Sequence, residues 1–61
     1  MNEGDLDARA EADRYRREAS RIRALIPWLT RPEAIEYLRK RADRYERVAD
    51  ELDAAARTGP V

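Results

Sequence analysis

Seven carboxylates crowd the second half of the chain: Glu33, Glu36, Asp43, Glu46, Asp50, Glu51 and Asp53. Carboxylates that converge on one point can hold a hard cation through oxygen. Their spacing fits no EF-hand loop. A di-iron helical bundle needs Glu-x-x-His motifs, and the chain has no histidine. That lack also removes the commonest general base. With no cysteine there is no thiol nucleophile, Cys-ligated zinc or disulfide. No serine–histidine pairing and no Gly-rich phosphate loop is present either. No catalytic, metal or cofactor-binding residue is expected, and the protein is not expected to be an enzyme. The carboxylates read as helix-surface ion-pair partners, such as Glu36–Lys40, Asp43–Arg47 and Asp53–Arg57 at i,i+4.

Phosphate binding is the other chemistry these residue types suggest. The chain has 13 basic and 13 acidic side chains, yet they are segregated. Residues 14–47 are net basic, whereas residues 1–13 and 48–61 are net acidic. Arg14, Arg17, Arg21, Arg31, Lys40, Arg44 and Arg47 fall at outward helical positions, where clustered cations can engage a nucleic-acid backbone. Glu36 and Asp43 interrupt that patch, and no helix-turn-helix or other reader motif accompanies it. The favoured reading is that the charge orients a dimer. Two hairpins packed head to tail place each basic turn beside its partner's acidic ends.

The elements that must position these groups are helices. Alanine and arginine dominate the composition, and the few β-branched residues form no alternating run. The twelve-to-one excess of arginine over lysine suggests a GC-rich bacterial genome. Breakers sit only at Gly4, at Pro27 and Pro32, and at Gly59-Pro60. One helix is expected over about 5–26, capped by Asp5 or Asn2 and stopped or kinked at Pro27. A second is expected over about 31–57. Thr30 and Glu33 should form its capping box, Pro32 sits in its first turn, and Gly59 and Pro60 end it. The fold class is therefore all-α, a single helical-hairpin domain over 1–61 with frayed ends at about 1–4 and 58–61.

The apolar residues recur every seven positions. Ala8, Ala12, Tyr15, Ala19, Ile22 and Ile26 alternate steps of four and three. So do Ile35, Leu38, Ala42, Tyr45, Ala49, Leu52 and Ala56. Such a stripe is a coiled-coil or bundle seam. Position a takes Ala12, Ala19 and Ile26 in the first helix and Ile35, Ala42, Ala49 and Ala56 in the second. Position d takes Ala8, Tyr15 and Ile22, then Leu38, Tyr45 and Leu52. A short link forces antiparallel packing, and a link centred between Trp28 and Leu29 makes facing residue numbers add to about 57. Tyr15 then meets Ala42, Ala12 meets Tyr45, and Ala19 meets Leu38, large against small. Arg16 should reach Glu46, Arg9 should reach Asp53, and Glu18 should reach Arg41, with Arg23 beside Arg39 the exception.

A hairpin this small buries one side of each helix only, too little to stand alone with comfort. Ala34, Val48 and Ala55 widen the second helix's apolar face, and Leu25 widens that of the first. A homodimer forming a four-helix bundle is expected. Its self-association core would be Tyr15, Ala19, Ile22, Ile26, Ile35, Leu38, Ala42, Tyr45, Val48 and Leu52. Tyr15 and Tyr45 read as packing residues rather than radical or catalytic ones. Trp28 is expected to cap the end of the core with Leu25 and Leu29, or to contact a protein partner together with the half-exposed Tyr37.

No apolar run is long enough to cross a membrane, and the acidic start carries no signal-peptide pattern. Nor is there the bulky apolar face of a membrane-surface helix. A cytoplasmic protein is expected. Across Arg14 to Leu52, the segments Tyr15-Arg16-Arg17-Glu18-Ala19, Pro32-Glu33-Ala34 and Arg44-Tyr45-Glu46-Arg47-Val48-Ala49 resemble a group of short bacterial two-helix proteins of unknown function. That resemblance implies the hairpin and no activity. The architecture is also similar to that of the small plasmid-encoded Rop-type RNA-binding dimer. The function expected is a non-enzymatic, self-associating interaction or regulatory module, with a Rop-like nucleic-acid-binding dimer as the alternative.

Overall fold

The structure, a computed structural model, describes residues 3–57. Two helices, α1 (Glu3–Leu25) and α2 (Pro32–Arg57), lie antiparallel as a hairpin, and no strand occurs among the described residues. α1 already includes Glu3, so Asp5 lies inside the helix rather than capping it. Asn2 as a cap, the Gly59-Pro60 stop and fraying at 1–2 and 58–61 lie outside the described residues.

The link departs from expectation in a way that resets the pairing. α1 ends at Leu25, but the chain does not leave its path at Pro27. Residues Ile26–Trp28 form a single 3-10 turn with the proline in its first positions. A proline there sacrifices no donor that the turn needs. Leu29 then becomes extended, at φ −95° and ψ 146°, with its amide on the Ile26 carbonyl at 3.0 Å. The reversal occupies only residues 29–31. No residue in it has positive φ, so a glycine-free link suffices.

The start of α2 also differs from expectation. The Arg31 carbonyl accepts from the Ile35 amide at 3.1 Å, which makes Arg31 the capping residue. Pro32 becomes the first helical residue, the position its fixed φ suits best. Thr30 and Glu33 make no capping-box hydrogen bond.

A 3-10 turn rises about 2 Å per residue, so Ile26–Trp28 carries the chain about one α-helical turn beyond Leu25 before it reverses. Facing residue numbers therefore add to about 60, not 57. Tyr15 meets Tyr45, with ring centroids 5.6 Å apart and planes tilted by 51°. Ala19, Ile22 and Ala42 form the buried core cluster, with Leu38 and Tyr45 packed on it. The same register sets Ala12 level with Ala49. Around the core small residues thus meet small and large meet large, a against a and d against d, with Ala8 opposite Leu52 the exception. The expected large-on-small layers do not form.

The alanines explain why this arrangement is stable. Ala12, Ala19, Ala42 and Ala49 have no exposed surface, and Ile22 is 6% exposed. A lone methyl lets two helix backbones approach closely. The Cα envelope measures 49 × 13 × 9 Å. Allowing a Cα radius of about 2.3 Å on each side, that width leaves about 8 Å between axes, the close end of the usual range. Ile22 apart, the larger side chains stand beside the seam rather than between axes so close.

A longer side chain in the seam should push the helices apart. Ala19→Leu or Ala42→Leu should destabilise the hairpin by about 1–3 kcal/mol. Ala24→Leu, at an exposed site on α1, should leave stability nearly unchanged. Thermal melts followed by circular dichroism at 222 nm separate these outcomes.

Candidate functional site

At 100° per residue, positions e and b flank one side of the seam and g and c the other, with f at the back. In an antiparallel pair packed a on a and d on d, like positions of both helices share a face. The hairpin is a flat ribbon with two chemically different sides.

The e/b side is closed by charge. Arg23, at e in α1, faces Asp43 and Glu46 at b and e in α2. Its Nε and Nη2 donate to the two Glu46 carboxylate oxygens at 3.2 and 2.9 Å, and Nη2 donates to Asp43 at 2.7 Å. Seven residues earlier, Arg16 repeats the arrangement. Its Nη2 donates to Asp50 at 3.2 Å and to Asp53 at 2.6 Å. The hydrogen bonds that Arg23 donates to Glu46 and then to Asp43 raise its pKa above that of an ordinary arginine, and those that Arg16 donates to Asp53 and then to Asp50 raise its own. These two clamps lie across the alanine seam like rungs.

The clamps replace three expected contacts. Arg16 reaches Asp50 and Asp53 rather than Glu46, Arg23 finds two carboxylates rather than Arg39, and Glu18 pairs with Arg21 rather than Arg41. Arg9 forms no ion pair with Asp53. Within helices, Glu36–Lys40 forms at 3.9 Å. Asp43 and Asp53 turn across to α1, and their expected i,i+4 pairs with Arg47 and Arg57 do not form. Among the described residues, no three potential ligands converge into a metal-binding group.

The d/g side is open. Tyr15, Leu38, Tyr45 and Leu52 at d are only half-buried, as is Val48 at g. Ile26, Leu29 and Ile35 continue the half-buried row towards the link. Leu25, at g, is 51% exposed, and Tyr37, at c, is 60% exposed. Of the residues expected to form the self-association core, Ala19, Ile22 and Ala42 are buried within one hairpin. Tyr15, Ile26, Ile35, Leu38, Tyr45, Val48 and Leu52 keep surface to offer. Trp28 is 83% exposed, so within the hairpin it does not cap the core.

Arg41 organises the middle of this side. Its Nε donates to the Tyr45 hydroxyl at 3.1 Å and its Nη1 to the Tyr37 hydroxyl at 3.2 Å. Its guanidinium carbon lies 5.6 Å from the Tyr45 ring centroid, within cation–π range. These hydrogen bonds, Tyr45 first, raise its pKa. Each hydroxyl accepts from Arg41 and keeps its own proton free to donate.

The basic residues Arg14, Arg17, Arg21, Arg31, Lys40, Arg44 and Arg47 are all exposed. Arg14 and Arg21 make loose pairs with Glu11 and Glu18, each at 3.8 Å. Arg17, Arg31, Arg44 and Arg47 make no ion pair with any described residue. An open groove of about 570 Å³ runs along α2, lined by Tyr37, Lys40, Arg41, Arg44 and Arg47, among others. No helix among the described residues is long and apolar enough to cross a membrane.

Arg16, Arg23 and Arg41 organise the two faces, and the sequence pattern alone assigned none of them to a site. A signal for the first two existed. Two arginines seven apart oppose two acidic pairs, Asp43/Glu46 and Asp50/Asp53, also seven apart.

Replacing Arg23 with alanine strips both carboxylates of their cation. Arg23→Ala should lower the melting temperature at low salt by more than Arg39→Ala, which removes an arginine that pairs with no acid among the described residues. The difference should shrink as sodium chloride rises from about 0.01 to about 1 M. No protein-family model, curated protein or solved structure matches the chain.

Proposed function

We propose that this hairpin is a non-enzymatic, self-associating interaction or regulatory module that works as a homodimer. Its two copies meet through their d/g faces to make a four-helix bundle. The observation that carries this reading is the asymmetry of the ribbon. One face is closed by the Arg16 and Arg23 clamps, whereas the other leaves a continuous row of tyrosine and aliphatic side chains half-buried. Covering such side chains contributes about 25 cal/mol per Å² of apolar surface removed from water. A hairpin whose seam is mostly methyl groups has little else to set against chain entropy. The cytoplasm is the compartment proposed for it.

Trp28 and Tyr37 keep most of their surface exposed on the hairpin. Trp28 and Tyr37 are the aromatic residues it would present to a protein partner, since exposed aromatics serve as interface anchors.

Arg17, Arg44 and Arg47 support a second reading, because none is neutralised within the hairpin. In that reading the dimer binds a nucleic-acid backbone through its basic half, as the resemblance to Rop-type dimers suggests. Fluorescence anisotropy with labelled RNA and duplex DNA at about 50 mM salt tests it. Binding that weakens steeply with added salt supports it, and flat titrations remove it.

Sedimentation equilibrium tests the main reading. Micromolar protein should show twice the 7.1 kDa chain mass. Leu38→Glu combined with Leu52→Glu should give the single-chain mass and a lower helical signal. A fully helical single-chain species from the unaltered protein would overturn the proposal.

A further inference from the structure

We infer that the two copies stack head to tail, α1 on α1 and α2 on α2, with Tyr15 and Tyr45 of both chains gathered at the dyad. This rests on the dimer proposed above and specifies which of its two possible arrangements forms.

A flat ribbon can meet a second copy of itself through one face in only two symmetric ways. With the twofold axis along the helices, the links lie together and α1 covers the partner's α2. With the axis across the helices, the links lie at opposite ends and each helix covers its own counterpart, antiparallel. Full overlap fixes the register of the second arrangement. The middle of the stretch Glu3–Trp28 falls at Tyr15-Arg16, and the middle of α2 falls at Arg44-Tyr45. These midpoints coincide with the one aromatic pair between the helices, so the dyad passes through the tyrosines.

Charge decides between the two. Along the rim of the open face, α1 presents Asp7, Glu11, Arg14, Glu18, Arg21 and Leu25 at alternating c and g positions. Laid antiparallel on itself about Tyr15-Arg16, this row sets Arg14 opposite Glu18 and Arg21 opposite Glu11, and the symmetry repeats each pair. Within one chain these same groups are only loosely paired, at 3.8 Å, and are free to exchange partners. The other arrangement sets Arg14 near Arg44, Arg21 near Arg41 and Glu11 near Glu51, with Glu18 alone facing arginine. Like charges directly opposed work against association and select the alternative.

The α2 rows are compatible with the same axis. Ala34 falls opposite Ala55, Leu38 opposite Leu52, and Arg41 opposite Val48. Arg44 falls next to the dyad, beside the partner's Arg44 and the partner's Tyr45; its guanidinium can lie on that ring face, and this one like-charge contact is outweighed by the four opposite-charge pairs along α1.

The absence of cysteine allows one label per chain. A spin label on Thr30→Cys reports the distance between the two links by pulsed electron resonance. The head-to-tail dimer places the labels about 40 Å apart, from the helical rise on either side of the dyad. A dimer with a distance under about 20 Å overturns the arrangement while leaving the dimer intact. A single-chain mass at every concentration overturns both. Charge exchange gives an independent readout. Arg21→Glu should weaken association by about tenfold, the sum of two modest pairs, and adding Glu11→Arg should restore it. In the links-together arrangement Arg21→Glu would tighten association instead.

Discussion

Two helix backbones about 8 Å apart leave room for a methyl group between them and for little else. Ala12, Ala19, Ala42 and Ala49 meet that limit, and each is fully buried. Ile22 apart, the larger d side chains stand outside the seam, and they do so on one side only. An alanine seam therefore does two things at once. It brings the helices close enough to exclude water, and it excludes from its interior the very residues with most apolar surface. A seam of leucines would have spread the helices and hidden those residues inside a single chain.

The two faces follow from this spacing. Close approach brings e and b positions within reach of guanidinium groups, so Arg16 and Arg23 each span the ribbon to two carboxylates. These side chains remain roughly 40% exposed, so the clamps fix alignment more than they add stability. The opposite face has Arg41 rather than a cross-helix clamp. Its guanidinium holds two tyrosine hydroxyls along α2 and leaves the aliphatic row uncovered. Two helices thus carry one surface closed by cross-helix ion pairs and one left open.

Much of this was legible in the sequence. The seven-residue recurrence located both helices to within two residues at the ends described, and it identified every alanine of the seam. Pro27 and Pro32 marked the reversal. The register was not legible, because it depends on what the chain does between Leu25 and Leu29. A proline that ends an α-helix can still open a 3-10 turn on the same path, and nothing in Ile26-Pro27-Trp28 distinguishes that from an immediate reversal. Three residues of tighter helix moved the pairing by one turn. That shift turned Tyr15–Ala42 into Tyr15–Tyr45 and gave Arg23 carboxylates in place of Arg39. The open face was half legible: the wide stripe on α2 pointed to more than one neighbour. Which side of the ribbon it belonged to required the true register.

The two prolines that bracket the link have a bearing on how copies can combine. Many short hairpins exchange arms by straightening into one continuous rod and refolding against another chain. Here a continuous helix would carry Pro27 and Pro32 in its interior. Each would lack a donor and clash with a carbonyl four residues back, at a cost of about 3 kcal/mol or more apiece. In their present places, in a 3-10 turn and at the first residue of α2, neither carries that penalty. Arm exchange through an open rod is thereby suppressed, and copies that associate can do so only as closed hairpins meeting surface to surface.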